Sequence, residues 1–183
     1  MIVVLQGKFD SMQIYVSTYA VDQNIGNHTT IFFFLICIIG NIINVIMEEG
    51  IFRGLFIKML EQKYSFIISA LVTSLLFGFW HIVGPIRNYL DGVSSMEGMI
   101  ANAMMLLITS ALVGFKFALL TKMTGNLFMA MGDHFVNNTI VNLIHVISNT
   151  GADEMMFLRV AIAQSVSFMI VLAYYFKLYY RKV

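Results

Sequence analysis

Residues 31–47 form an almost wholly apolar run of 17 residues that ends directly in Met47-Glu48-Glu49-Gly50-Ile51-Phe52-Arg53-Gly54. Such a run only just crosses a hydrocarbon core of about 30 Å. The helix is therefore expected to continue to about Leu60 and to carry three charges within the membrane or at its boundary. A charged side chain at the bilayer centre costs about 2.5 to 3.5 kcal/mol on insertion scales, so charges at that depth point to function. On a helix of about 3.6 residues per turn, Glu49 and Arg53 share a face in the favourable acid-first order. Glu48 lies about 100° from Glu49 and about 140° from Arg53. Arg53 can thus neutralise Glu49 and leave Glu48 to face another element. The plainer alternative is a charged helix end emerging from the bilayer.

Composition extends this to the whole chain. It is 59% hydrophobic and 11% charged, against about 45 to 50% and about 25% in a soluble domain. That balance predicts a multispan membrane protein. A formal charge of +1 and the lack of a basic run exclude an electrostatic footprint for nucleic acid. The single cysteine, Cys37, allows neither an intrachain disulfide nor a cysteine metal site. The apolar start at residues 1–5 is too short for a secretory signal.

The expected organisation is an all-α polytopic bundle of about five spans around a polar intramembrane cavity. Residues 1–30 form an extramembrane or interfacial segment, in which 12–21 fits a surface helix or an edge strand equally well. The second span, 64–83, ends in Phe77-Gly78-Phe79-Trp80-His81 and is stopped by Pro85, with a polar loop over 87–97. The third lies within 96–122, with Lys116 snorkelling to an interface. The fourth, 127–148, carries Asp133, His134, Asn137, Asn138, Asn142 and His145, too many polar groups to face lipid. The fifth is 155–176, and 177–183 forms a basic tail. Lys58, Lys63, Lys116, Lys122, Lys177, Arg181 and Lys182 then fall on one side, against Lys8, Arg87 and Arg159 on the other. The positive-inside rule places the N-terminus outside and the C-terminus in the cytoplasm, as expected of a multi-pass cell-membrane protein.

Three polar clusters fall on three spans: Glu48, Glu49 and Arg53, then His81, then His134 with Asn138 one turn later. Each has an ordinary reading. A histidine in an apolar helix is usually a satisfied core residue, and His134 with Asn138 could simply hydrogen bond between helices. Counting about 1.5 Å per residue from the turn near 62, Glu48 lies about 21 Å up its helix and His81 about 28 Å up the next, an offset of about one turn.

In this order the three motifs, Glu48-Glu49-x-x-x-Arg53, Phe77-x-x-x-His81 and His134-x-x-x-Asn138, resemble the signature of the CPBP intramembrane proteases. That family groups type II CAAX prenyl endopeptidases with bacterial relatives linked to peptide processing and bacteriocin immunity. The resemblance spans about residues 35–145. Family members usually carry further helices before the glutamate motif, where 47 residues precede it here. It implies that 31–176 is a protease core hydrolysing a peptide bond of a membrane-associated peptide or protein. Glu48 matches the catalytic glutamate, His81 its partner in holding water, and His134 and Asn138 the residues that stabilise the oxyanion. Glu49 and Arg53 match supporting residues that orient the helix.

The family is often described as metalloproteases, and Glu48, His81 and His134 would make a three-ligand zinc set with an open fourth position. The metal-free glutamate mechanism is preferred, because only one motif histidine follows each span and no carboxylate is placed to orient them. No cofactor is therefore expected to be obligatory, with zinc the alternative. His-Glu-x-x-His is absent, Met131-Gly132-Asp133 has Ala130 where an aspartyl type carries glycine, and Ser94 and Ser95 lie in a loop. His145-x-x-x-Asn149 repeats the His/Asn spacing and competes with His134-x-x-x-Asn138. Beside the peptidase stand a non-catalytic immunity or secretion factor of the same fold and a small transporter, since intramembrane Glu, Arg, His and Asn also mark ion pathways. Substrate identity, prenylation of that substrate and oligomeric state are open.

Overall fold

The apolar run becomes helix α1 (Ile31–Glu49), which passes without a break through a π-helical segment (Gly50–Phe56) into α2 (Ile57–Glu61). This is a computed structural model that describes residues 6–16, 30–149, 153 and 155–180. Next come α3 (Phe66–His81), α4 (Val83–Leu90), α5 (Met96–Thr124), α6 (Phe128–Leu143) and α7 (Met156–Tyr180). Strand β1 (Phe9–Ile14) precedes them all, and β2 (Ile144–Ser148) follows α6. The chain divides into two compact units, Met1–Met47 with Gly132–Ser165, and Glu48–Met131 with Val166–Val183.

Among the described residues four helical stretches are long and apolar enough to cross a membrane: Ile31–Glu61, Phe66–Leu90, Met96–Thr124 and Met156–Tyr179. The protein is thus an all-α polytopic bundle and an integral membrane protein, with a small two-stranded sheet added. The expected fourth span, 127–148, is corrected. Its helix has 16 residues, about 24 Å at the α-helical rise, and then the backbone turns extended. Ile144, Val146 and Ile147 favour that state, and β2 pairs antiparallel with β1, Gln13 opposite His145 and Ile14 opposite Ile144.

Local signals set the other ends. Ser65 and Ser95 cap α3 and α5 through their hydroxyls, accepting from Ile68 N–H at 3.5 Å and Gly98 N–H at 3.1 Å. Gly125 ends α5 in the left-handed region at φ 71°, where glycine meets no Cβ penalty. Pro85 does not stop the second span. That helix breaks at Ile82 and resumes as α4, and Pro85 sits in its first turn, where a missing N–H leaves no intrahelical bond unmade. Arg87 to Leu90 are accordingly helical rather than loop.

In the second unit α3 packs along α5 through small residues. Ala70, Ser74 and Gly78 recur every fourth residue, the spacing that lets membrane helices approach closely. A Cβ on Gly78 would stand 2.5 Å from the Leu107 carbonyl oxygen. Gly78 is therefore a contact point between helices. Thr73 and Ser69 bond back to carbonyls one turn earlier, Ser69 and Ser65, at 2.9 and 3.1 Å, leaving no hydroxyl to lipid. At one end Lys122 reaches Glu61 at 2.7 Å and the Tyr179 hydroxyl donates to the Lys122 carbonyl at 3.2 Å.

Lys116 does not snorkel. It is 0% exposed, its Nζ donating to Ser167 Oγ on α7 at 3.2 Å and standing 5.2 Å from the Phe117 ring centroid.

In the first unit the sheet is held by one ionic cluster. Asp153 takes two hydrogen bonds from Arg159, at 2.6 and 2.7 Å, and one from the Val146 N–H at 3.0 Å. Burial pushes the Asp153 carboxyl up, but these bonds and the charges of Arg159 and His145 outweigh it and hold it below the usual carboxylate range. Burial and the Asp153 charge push the Tyr15 phenol up.

Candidate active site

Helix α1 delivers Glu48 and Glu49 into the interior of the second unit, 5% and 0% exposed, and the π-helical segment delivers Arg53, 1% exposed. A π-turn inside an α-helix is rare and is frequently found at functional sites. Here it begins at Gly50, directly after the two carboxylates. Arg53 Nη1 donates to Glu49 Oε1 at 3.2 Å, the ion pair predicted from their spacing. The guanidinium carbon lies 4.2 Å from the Phe77 ring centroid and 5.3 Å from that of Phe117. With the Phe52 ring at 5.8 Å, three aromatic rings thus share the cation with the carboxylate.

Gly114 on α5 makes this possible. A Cβ there would stand 2.7 Å from Arg53 Nη2 and 3.1 Å from Phe77 Cδ1.

Glu48 does face another element. The Trp80 indole N–H donates to Glu48 Oε1 at 3.1 Å. Side chains lean toward the N-terminus of their own helix, so on the antiparallel α1 and α3 Glu48 leans away from the turn near 62 and Trp80 leans toward it. The two leans bring the Trp80 indole to Glu48. Trp80 is the chain's only tryptophan and directly precedes His81, yet nothing in the spacing assigns it to Glu48. The signal available was its polar N–H in an apolar helix, which needs an acceptor.

His81, half-buried at the end of α3, follows the same lean. Its Nδ1 lies 2.8 Å from the Phe77 carbonyl oxygen, and its ring meets Phe77 edge-on at 4.5 Å. A nitrogen facing a carbonyl carries the proton, so the neutral ring has Nε2 as its acceptor. Phe77 links this histidine to Arg53 by contacting both.

His134 and Asn138 belong to the first unit. They lie one turn apart on α6, His134 buried and Asn138 half-buried. Asn137 beside them donates to Asn138 Oδ1 at 3.5 Å and accepts from Gln164 Nε2 at 2.6 Å. Further along α6, Asn142 donates to Asn41 Oδ1 at 3.1 Å.

The rival pair does not form a helical motif. His145 lies in β2 and Asn149 in the turn after it, with the His145 ring stacked on Tyr15 at 3.9 Å and its Nε2 3.2 Å from the Tyr15 carbonyl. That histidine is part of the sheet.

No three His, Cys, Asp or Glu side chains among the described residues are gathered as a metal ion would require.

A family model described as "Type II CAAX prenyl endopeptidase Rce1-like" matches residues 30–140. That interval contains Glu48, Glu49, Arg53, His81, His134 and Asn138, and it stops short of His145 and Asn149. Neither a curated protein nor a solved structure matches the chain.

Proposed function

Since the chain belongs to the Rce1-like type II CAAX prenyl endopeptidase family of CPBP intramembrane proteases, we propose that it hydrolyses a peptide bond in a membrane-associated substrate with Glu48 as the base. The observation that carries this reading is the division of labour between two adjacent buried carboxylates. Glu49 takes the hydrogen-bonded ion pair from Arg53, and one oxygen of Glu48 takes the Trp80 indole N–H, with the Arg53 charge acting on both. The indole donor fixes the direction of a carboxylate that is to accept a proton.

In the proposed reaction Glu48 takes a proton from a water that His81 helps to hold. The hydroxide forms a C–O bond to the scissile carbonyl carbon, and the carbonyl electron pair moves onto oxygen. His134 and Asn138 donate hydrogen bonds to that oxyanion. When the tetrahedral species collapses, the C–N bond breaks and Glu48 returns its proton to the leaving amine. Zinc has no role in this sequence. Trp80 fixes the Glu48 carboxylate, and Glu49 with Arg53 fixes the helix that presents it.

The end that gathers Lys58, Lys63, Lys122 and Lys177 is taken as cytoplasmic, with Glu48 toward that half. A prenylated Cys-aliphatic-aliphatic-X tail is the first substrate class to test.

The test is cleavage of a quenched peptide library by purified protein in liposomes. The library includes farnesylated tails, and zinc is measured by elemental analysis of the same preparation. The reading predicts a defined scissile bond and retained activity with phenanthroline. Zinc near one per chain, with chelator loss and zinc-specific recovery, would overturn the metal-free mechanism. Tight binding of a library peptide with no product would instead favour a non-catalytic immunity or secretion factor.

A further inference from the structure

Three carboxamides stand in donor-to-acceptor order in the first unit. Gln164 Nε2 on α7 donates to Asn137 Oδ1 at 2.6 Å, and Asn137 Nδ2 donates to Asn138 Oδ1 at 3.5 Å. Gln164 and Asn137 line a cavity of about 250 Å³ with Asp133 and Arg159 at its wall. A carboxamide beside open space can turn over by 180°, exchanging its oxygen for its NH₂ at little steric cost, so hydrogen bonds rather than packing must fix its sense. The end of the chain of bonds is Asn138. Its oxygen is occupied by Asn137, while among the described residues its amide nitrogen makes no hydrogen bond.

We propose that Gln164 and Asn137 are positioning residues, a relay that turns the Asn138 carboxamide so that its N–H donors, and not its oxygen, are presented to the reacting group. The inference rests on the reading of Asn138 as an oxyanion donor. An oxyanion is stabilised by N–H and repelled by C=O, so the sense of this one amide decides whether the residue helps or hinders. Gln164 lies outside the residues that the family model matches and outside the three motifs. Its contribution is visible only once α7 is placed beside α6.

The relay has a polarity that can be reversed chemically. In Gln164→Glu the ionised side chain offers only acceptors. Asn137 must turn its NH₂ toward it and its oxygen toward Asn138, which then turns its own oxygen outward. Protonating that carboxyl restores a donor toward Asn137 Oδ1 and, with it, the original sense. Gln164→Leu removes the restraint without reversing it.

The experiment uses the full chain in liposomes with a peptide that the wild type cleaves. Gln164→Leu is expected to lower kcat by at least about 10-fold with KM changed less than about 2-fold, short of the roughly 100- to 1,000-fold typical of deleting an oxyanion donor. Gln164→Glu is expected to be slower still at alkaline pH, and its rate relative to wild type should rise as pH falls. A pH-independent ratio would overturn the relay. A second readout is independent of turnover. In protein labelled with ¹⁵N-asparagine, the Asn138 side-chain resonance, identified by its loss in Asn138→Ala, should shift in Gln164→Leu, and an unmoved resonance would refute the proposal. Wild-type turnover by Asn138→Ala would remove the oxyanion assignment itself, whereas loss in Asn138→Ala with full activity in both Gln164 variants would remove the relay alone.

Discussion

Around Arg53 the second unit buries full charges, and around Asn137 and Asn142 the first unit holds half-buried neutral carboxamides. The charges sit in a fixed frame: Glu49 on Arg53, rings of Phe77 and Phe117 against the guanidinium, and Gly114 cleared to admit it. The carboxamides meet across helices as single bonds, Asn142 to Asn41 and Gln164 to Asn137. The contrast follows from what each group loses when a partner goes. A buried charge left alone keeps its whole desolvation penalty, whereas an amide can rotate to another partner. Charge in this protein should therefore be brittle and amide polarity tolerant.

The largest expected effect breaks the charged frame. Arg53→Ala strands Glu49 and should remove about 3 to 5 kcal/mol of stability, read as lost accumulation and a lower thermal midpoint in detergent. Glu49→Gln should partly restore accumulation in that background, since it removes the stranded charge. Normal accumulation of the single variant would assign Arg53 to substrate contact instead. Next in size is Trp80→Phe, which keeps a six-membered aromatic ring and deletes the donor to Glu48 with the pyrrole half of the indole. A hydrogen bond to a charged group is worth about 1.5 to 3 kcal/mol, so turnover should fall about 10- to 100-fold if the bond is needed in the transition state. Unchanged kcat would confine Trp80 to packing.

The carboxamide side of the contrast predicts less. Asn142→Leu should cost only about 0.6 kcal/mol, the average for a hydrogen bond between membrane helices, and no more than about 1.7. A loss as large as that of Arg53→Ala would erase the distinction. The smallest effect is at the sheet and depends on pH. The Asp153 pKa is held below its unfolded value, so the stability it contributes is complete above the unfolded pKa and is lost as pH falls through the folded one. Hydrogen exchange at the Val146 amide, which donates to Asp153 at 3.0 Å, should therefore indicate a weaker sheet at acid pH. Asp153→Asn should flatten that dependence.

How far the sequence could be read divides along local and distant causes. The i to i+4 pairing of Glu49 with Arg53, the turn of Glu48 toward another helix, and the apolar stretches behind four crossing helices follow from residues close in the chain. Distant partners were not legible. Ile144–Ser148 has too few residues to establish a period of two, and its pairing strand lies at the opposite end of the chain. Lys116 was expected at an interface because its acceptor, Ser167, is 51 residues away. Trp80 finds Glu48 32 residues back only because antiparallel helices lean their side chains toward each other. Gly114 gave no sign, since the atoms that crowd it arrive from Arg53 and Phe77 on two other elements.

The central claim is that Glu48, and not Glu49, is the base. It is tested most directly by cleavage kinetics of Glu48→Gln in liposomes, an isosteric change that keeps an oxygen for Trp80 but removes the proton acceptor. The account predicts normal accumulation, an unchanged thermal midpoint, and a rate at least about 100- to 1,000-fold below wild type. Near wild-type cleavage by Glu48→Gln would contradict it.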